Sequence, residues 1–196
     1  MIITIGREHG SGGHDIARRL SQELNIKCYD KEIVDEAASN SQFSREVLSS
    51  YDEKRVSTFI EPTAQFIGMN EGFRLSMQAA SAQFSAIRAI ADKDDCIFVG
   101  RCADYILRSR DDLVSVFILG DLPARIKTIS ERQHVSEDQA KKIIRAVDKD
   151  RASYYKYYND QLWGESENYD LCINSSDIGV EGTVNVIKAF IAAKKL

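Results

Sequence analysis

An α/β architecture, a three-layer parallel sheet flanked by helices and carrying a helical lid insertion, follows from three observations. Short apolar runs rich in β-branched residues alternate with segments of helical period. The first of these runs passes directly into a turn containing Gly6, Gly10, Gly12 and Gly13. Residues 122–160 then read almost wholly as helix, dense in arginine and lysine. A chain of 196 residues with 43% hydrophobic and 29% charged content suits one domain over residues 1–196 with a sizeable core. The net charge of −4 supplies no global basic field for nucleic acid. Cys28, Cys96, Cys102 and Cys172 lack metal-finger spacing and read as reduced core thiols. With no signal peptide and no bilayer-length apolar run recognised, a soluble, cytoplasmic chain without a membrane partner is expected.

Met1 to Ile5 suits a buried strand, and Ile16, Ala17, Leu20 and Leu24 recur at helical spacing after the glycine turn, with Asp15 in the first turn. Strand, glycine turn and helix gather backbone N–H groups at a positive helix end, where they can cradle a phosphate. The bland alternative is a tight βα turn without a ligand. The consensus phosphate loop ends in Gly-Lys-Ser/Thr, but Gly13 and His14 occupy those last two places here. Arg7, His14 or a lid arginine would have to restore part of the missing charge.

Lys27 to Tyr29 predicts a short strand that delivers Asp30 and Lys31. Asp30 then either presents chemistry past a strand end or caps the helix signalled by Ile33, Val34, Ala37 and Ala38. Ser39 to Pro62 is weakly patterned and reads as an exposed excursion with a short helix after Ser44. From Glu71 onward, Phe73, Met77, Ala80, Phe84, Ile87 and Ala91 mark the core face of a long amphipathic helix.

Cys96 to Val99 is an interior strand running into Gly100-Arg101, ahead of a helix through Tyr105, Ile106 and Leu107. An arginine at that strand end is placed to grip a phosphate; otherwise it pairs with Asp104 or another acidic neighbour. Leu113 to Leu119 gives another strand, ended by Gly120-Asp121. In the basic segment, Ser136 and Gln139 form a capping box that divides it into a helical hairpin, and Arg145, Asp148 and Arg151 share one helix face. Its cations point to an anion-facing lid, against the alternative of a solvated surface. Tyr154, Tyr155, Tyr157 and Tyr158, with Trp163, either stack on a base or anchor the hairpin. Leu171 to Asn174 makes the final strand, and Val180, Val184, Ile187 and Ile191 a closing helix.

Taken in order, GREHGSGGHDIARRL, CYDKEIVDEAA, FVGRCADYIL, DKDRASYYKYY and WGESENYDLCINSS resemble the nucleoside monophosphate kinases, most closely the cytidylate kinase-like family, over nearly the whole chain. The resemblance implies a P-loop kinase-type fold that transfers the γ-phosphate of ATP, with Mg2+, to CMP, dCMP or a related monophosphate. It implies donor phosphate binding by Gly6, Gly10, Ser11, Gly12, Gly13 and His14. Asp30, Arg101, Asp148 and Arg151 would hold the acceptor, with Arg125, Arg132, Arg145 and His14 as the catalytic set and Ser11 as a possible magnesium ligand. Small nucleotides would be its partners. The missing Lys-Ser/Thr keeps two alternatives in view: a silent nucleotide- or anion-binding regulator, and a P-loop transferase acting on a non-nucleotide metabolite.

Overall fold

Every apolar strand here has a second apolar face to cover, and that requirement builds the layers. In the computed structural model, which describes residues 1–50, 52–53 and 68–195 (68–73 by backbone alone), the chain starts with β1 (Ile2–Arg7) and α1 (Gly13–Leu24). It continues through β2 (Lys27–Tyr29), α2 (Glu32–Ser39), α3 (Arg45–Ser50) and α4 (Gly68–Ala91). Then come β3 (Cys96–Val99), the single turn α5 (Ala103–Ile106), β4 (Leu113–Leu119), α6 (Leu122–Gln133) and α7 (Glu137–Asn159). A 3-10 turn at Ser166–Asn168, β5 (Leu171–Asn174) and α8 (Gly179–Lys194) complete the described chain. The part of the expected excursion at residues 54–62 lies outside the described residues.

The five strands form one parallel sheet in the order β2-β3-β1-β4-β5. Alternate side chains assign the layers, because the strand period is two. Ile3, Ile5, Ile97, Val99, Val116 and Ile118 pack against Ile16, Leu20, Val184 and Ile187 of α1 and α8. Ile2, Cys96 and Phe98 face the other way, onto Ile87 and Ile90 of α4, Ala103 and Ile106 of α5, and Tyr154 and Tyr155 of α7. Each fully buried isoleucine contributes roughly 1.5–3 kcal/mol, so both faces are needed to offset chain entropy.

The Phe73 side chain lies outside the described residues; among the rest of the predicted face the long helix departs at Met77, which is 39% exposed and whose sulfur accepts a 3.3 Å hydrogen bond from Tyr157. The buried face runs instead through Ala79, Ala80, Ala86, Ile87, Ile90 and Ala91. The hairpin forms as its capping box predicts, with the Gln139 N–H donating to Ser136 Oγ and the Ser136 N–H to Gln139 Oε1. The tyrosines anchor that hairpin. Tyr154 and Tyr155 are buried in the core, and Tyr158 stacks edge-on against Phe84 at 5.2 Å. All four cysteines are free, and burial pushes the Cys28 and Cys96 thiols up to about 11 and about 12. No described helix is long and apolar enough to cross a membrane.

Candidate active site

Because the strands are parallel, the carboxyl ends of β1, β3 and β4 open on one edge, and the chain's glycine turns gather there. After β1 the backbone doubles back through Gly10 (φ 85°) and Gly12 (φ 80°), both left-handed, and enters α1 at Gly13. Ser175 Oγ donates to the Ser11 carbonyl at 2.7 Å and Ser11 Oγ to the Glu8 carbonyl at 2.9 Å, which fixes the turn. The N–H groups of Gly10, Gly12 and Gly13 meet no acceptor among the described residues. They border a cavity of about 340 Å3 that is also lined by Arg7, His14, Asp30, Arg132 and Arg151. A second cavity of about 240 Å3 lies between the turn, Ala124 and Thr128 of α6, and residues 175–180.

The two left-handed glycines differ in what surrounds them. A Cβ at Gly10 would stand 3.0 Å from the Arg125 carbonyl oxygen and 3.1 Å from Ile129 Cγ1, whereas one at Gly12 would meet only Ile16 Cδ1 at 4.0 Å. Left-handed backbone costs any other residue about 1–2 kcal/mol. Gly10→Ala is therefore expected to lower stability more than Gly12→Ala and to weaken ADP binding beyond it, as measured by denaturant unfolding and calorimetric titration. Equal losses would show that α6 does not brace the turn.

The first arginine of the hairpin is a brace. Arg125 is 5% exposed, pairs with Glu8 at 2.9 Å and with Asp148, and donates from Nε to the His9 carbonyl at 2.9 Å. Asp148 also accepts from the His9 N–H at 2.8 Å. Arg125 thus docks α6 on the glycine turn, where a mobile lid arginine was expected, and Asp148 serves that docking. Burial pushes the His9 imidazole down to about 4, with Arg151 adding to the effect, so His9 is neutral near pH 7. Its buried Nε2 has no partner among the described residues.

Asp148 and Arg151 diverge although they are one turn apart on α7, for Arg151 Nη1 donates to the Arg7 carbonyl at 3.1 Å and Nε approaches Glu53 at 3.4 Å. Arg101, at the end of β3, is 2% exposed and engages four of its five guanidinium N–H donors. It forks onto Asp52 at 2.8 and 2.6 Å and donates from Nη1 to Asp30 at 2.8 Å and to the Val99 carbonyl at 3.0 Å. Asp52 and Glu53 come from the weakly patterned stretch after α3. Glu53 accepts from Arg7 Nη1 at 2.5 Å, Arg7 Nη2 at 2.9 Å and the Arg101 N–H at 3.0 Å. That N–H is presented by three successive left-handed residues, Gly100 (φ 77°), Arg101 (φ 57°) and Cys102 (φ 56°), a backbone concavity suited to an anion. Burial pushes the Glu53 carboxyl up, but Arg7, Arg151 and Arg101 outweigh it and hold it well below the usual carboxylate range. Asp30 is likewise held low, Arg101 outweighing burial, while burial wins at Asp52 and raises it.

Of the other expected residues, His14 Nδ1 lies 3.0 Å from Asp30 Oδ2, and Arg132 pairs with Asp15 at 2.8 Å while 53% exposed at the cavity mouth. Arg145 is exposed on α7, outside the cavity lining, and makes no hydrogen bond or ion pair with a described residue. Ser11 is buried with its hydroxyl hydrogen committed to Glu8. Among the described residues no three metal-ligating side chains converge. Sequence reading missed Glu8, Asp52 and Glu53 and gave Arg7 no fixed place. The only local signal was a charged residue ending a buried strand, at Arg7.

Asp104 lies behind Arg101, and Tyr155 Oη donates to its Oδ2 at 2.6 Å. Burial raises this carboxyl to about 6, with the Tyr155 bond offsetting part of the effect. An acid whose folded value lies above its unfolded value of about 4 adds stability at low pH that is lost as pH rises through about 6. Asp104→Asn, which can still accept from Tyr155, should therefore gain about 1–3 kcal/mol on the wild type between pH 4 and pH 8 in urea unfolding. Parallel stability curves would show that Asp104 titrates normally.

Known proteins share the sequence and fold of this chain. Residues 2–177 match the Cytidylate kinase-like family. A cytidylate kinase of Methanococcus vannielii is 30% identical over 196 residues, covering 97% of this chain and 99% of its own. One of Sulfolobus acidocaldarius is 24% identical over 199 residues, covering 100% and 97%. Among solved structures, an uncharacterized protein of Eubacterium ventriosum superposes with a TM-score of 0.76 at 33% identity, covering 98% of each chain. A shikimate kinase of Bacteroides thetaiotaomicron shares the fold alone, at 0.56 and 12% identity, again over 98% of each chain. By its sequence from residue 2 to residue 177, the chain belongs to the cytidylate kinase-like family.

Proposed function

We propose that the protein transfers the γ-phosphate of ATP to CMP, dCMP or a related nucleoside monophosphate. The observation that carries this reading is the juxtaposition of unengaged glycine amides with Arg7, Arg132 and Arg151 around one cavity of about 340 Å3. Phosphoryl transfer demands little else of a protein than positioning and positive charge on the phosphoryl oxygens. The bond from the γ-phosphorus to the β,γ-bridging oxygen breaks, one to an acceptor phosphate oxygen forms, and ADP leaves. The amides of Gly10, Gly12 and Gly13 hold donor phosphate oxygens. The second cavity, beside Thr128 and Ser176, takes the donor's nucleoside.

Arg151, whose Nε leans on Glu53, receives the acceptor phosphate. Arg101 acts through Asp30 and Asp52, which it holds in place. Arg132 approaches the transferring group from the hairpin. Mg2+ comes with the donor; Asp15 and Asp30, at the cavity edges, are the carboxylates available to it, and it would neutralise phosphate charge there.

A second reading, a regulator that binds nucleotides or anions without turnover, is favoured by Gly13 and His14 in the lysine and hydroxyl positions. The deciding experiment incubates the protein with Mg-ATP and CMP, dCMP, UMP or AMP and follows diphosphate formation. The kinase reading expects turnover with a cytidine acceptor above the others. Saturable binding with no product would leave the regulator, and turnover with none of the four but with a non-phosphorylated alcohol would point to a metabolite kinase.

A further inference from the structure

The lysine position of the phosphate loop is vacated for a steric reason. Gly13 has no positive φ to demand glycine, yet a Cβ there would lie 2.5 Å from Arg7 Cβ and 2.8 Å from Arg7 Cγ. At the far end of the same side chain, a Cβ at Gly100 would collide with Arg7 Nη1 and with Glu53 Oε1. Arg7 therefore runs in a channel made by two absent side chains, from the phosphate turn to the end of β3. A side chain at residue 13 and any residue with a Cβ at residue 7 exclude each other, and the side chain this protein keeps of the two is an arginine.

We infer that Arg7 is the phosphate-contacting cation of this site, supplying from the end of β1 the charge that the consensus loop supplies from residue 13. Three further facts carry it. Arg7 is 9% exposed, yet it borders the cavity together with Gly10, Gly12, Gly13 and His14. Its guanidinium has five N–H donors, of which Glu53 engages one on each Nη, leaving Nε–H and two Nη hydrogens unengaged among the described residues. A planar fork matches two phosphate oxygens better than a point charge does. Glu53 is then a positioning residue that aims the fork. A purely structural Arg7–Glu53 pair is the weaker account, because burying an ion pair seldom stabilises more than apolar packing would.

The inference rests on the phosphotransfer reading, and its test keeps the two apart. Arg7→Met, Arg7→Lys, Gly13→Lys and the pair Arg7→Gly/Gly13→Lys are compared with wild type and Arg7→Gly. Transfer from Mg-ATP, Mg-AMPPNP binding and thermal unfolding are measured for each. Arg7→Met should lower kcat about 100- to 1000-fold and weaken Mg-AMPPNP at least tenfold, with Arg7→Lys between it and wild type. Gly13→Lys alone should lower the melting temperature, whereas the same change on Arg7→Gly, which removes the clashing Cβ, should be tolerated relative to Arg7→Gly and regain at least tenfold in analogue binding. Should Arg7→Met not fold, Arg7→Met/Glu53→Gln removes the pair together and carries the same expectation. Wild-type analogue binding by Arg7→Met, or Gly13→Lys tolerated equally with and without Arg7, would overturn the assignment. A wild type that transfers to no acceptor while the binding pattern holds would sink the kinase reading and leave Arg7 as the phosphate cation.

Discussion

Arg101→Met should lower the free energy of unfolding by about 3–5 kcal/mol, the usual result of removing one partner from a buried charge pair. The side chain is 2% exposed and satisfies both Asp52 oxygens, one Asp30 oxygen and the Val99 carbonyl. Without it, two carboxylates at the end of the sheet lose their compensating charge. Urea unfolding at neutral pH reads the loss directly. Arg101→Lys keeps the charge but cannot fork onto Asp52, so its loss should fall between wild type and methionine. A cost below about 1 kcal/mol for Arg101→Met would mean that the carboxylates find water or new partners, and that Arg101 is no keystone.

Arg151→Met should act on the acceptor. Arg151 shares Glu53 with Arg7 and lines the cavity of about 340 Å3, and burial together with the neighbouring Arg7 pushes its ionisation down, so an added anion is favoured there. Truncating a buried charge that meets a charged ligand costs about 2–5 kcal/mol, which places kcat/KM for the monophosphate down by about 30- to 1000-fold or more. The KM for Mg-ATP should change by less than about threefold. Comparable losses for donor and acceptor would move Arg151 out of the acceptor site.

These two arginines show how far the sequence alone reaches. The strand–turn–helix at residues 1–24 was legible because β-branched residues, glycines and a 3.6 period are local signals. The division of the hairpin at Ser136 and Gln139 was legible because a capping box is spelled in four residues. Arg101 was legible as a strand-end arginine from the strand that ends in front of it. Its partners were not, because Asp52 and Glu53 lie 46–49 residues from the arginines they neutralise, in a stretch with no periodicity. Arg125 illustrates the opposite error. Its place in a basic run suggested a mobile lid, but burial and long-range contacts to Glu8 and Asp148 are tertiary facts that composition does not encode. The same holds for Gly13, which looked like a defect in a consensus and is the clearance for Arg7.

The central claim is that the glycine amides and the guanidinium cluster hold two phosphate groups at once, facing each other. The most direct measurement is the affinity of a bisubstrate nucleotide, adenosine and cytidine joined through five phosphates, set beside those of ADP and CMP. Simultaneous occupancy predicts binding at least a hundredfold tighter than either nucleotide alone, reduced to about that of ADP in Arg151→Met. An affinity no better than that of ADP in the wild type would contradict it.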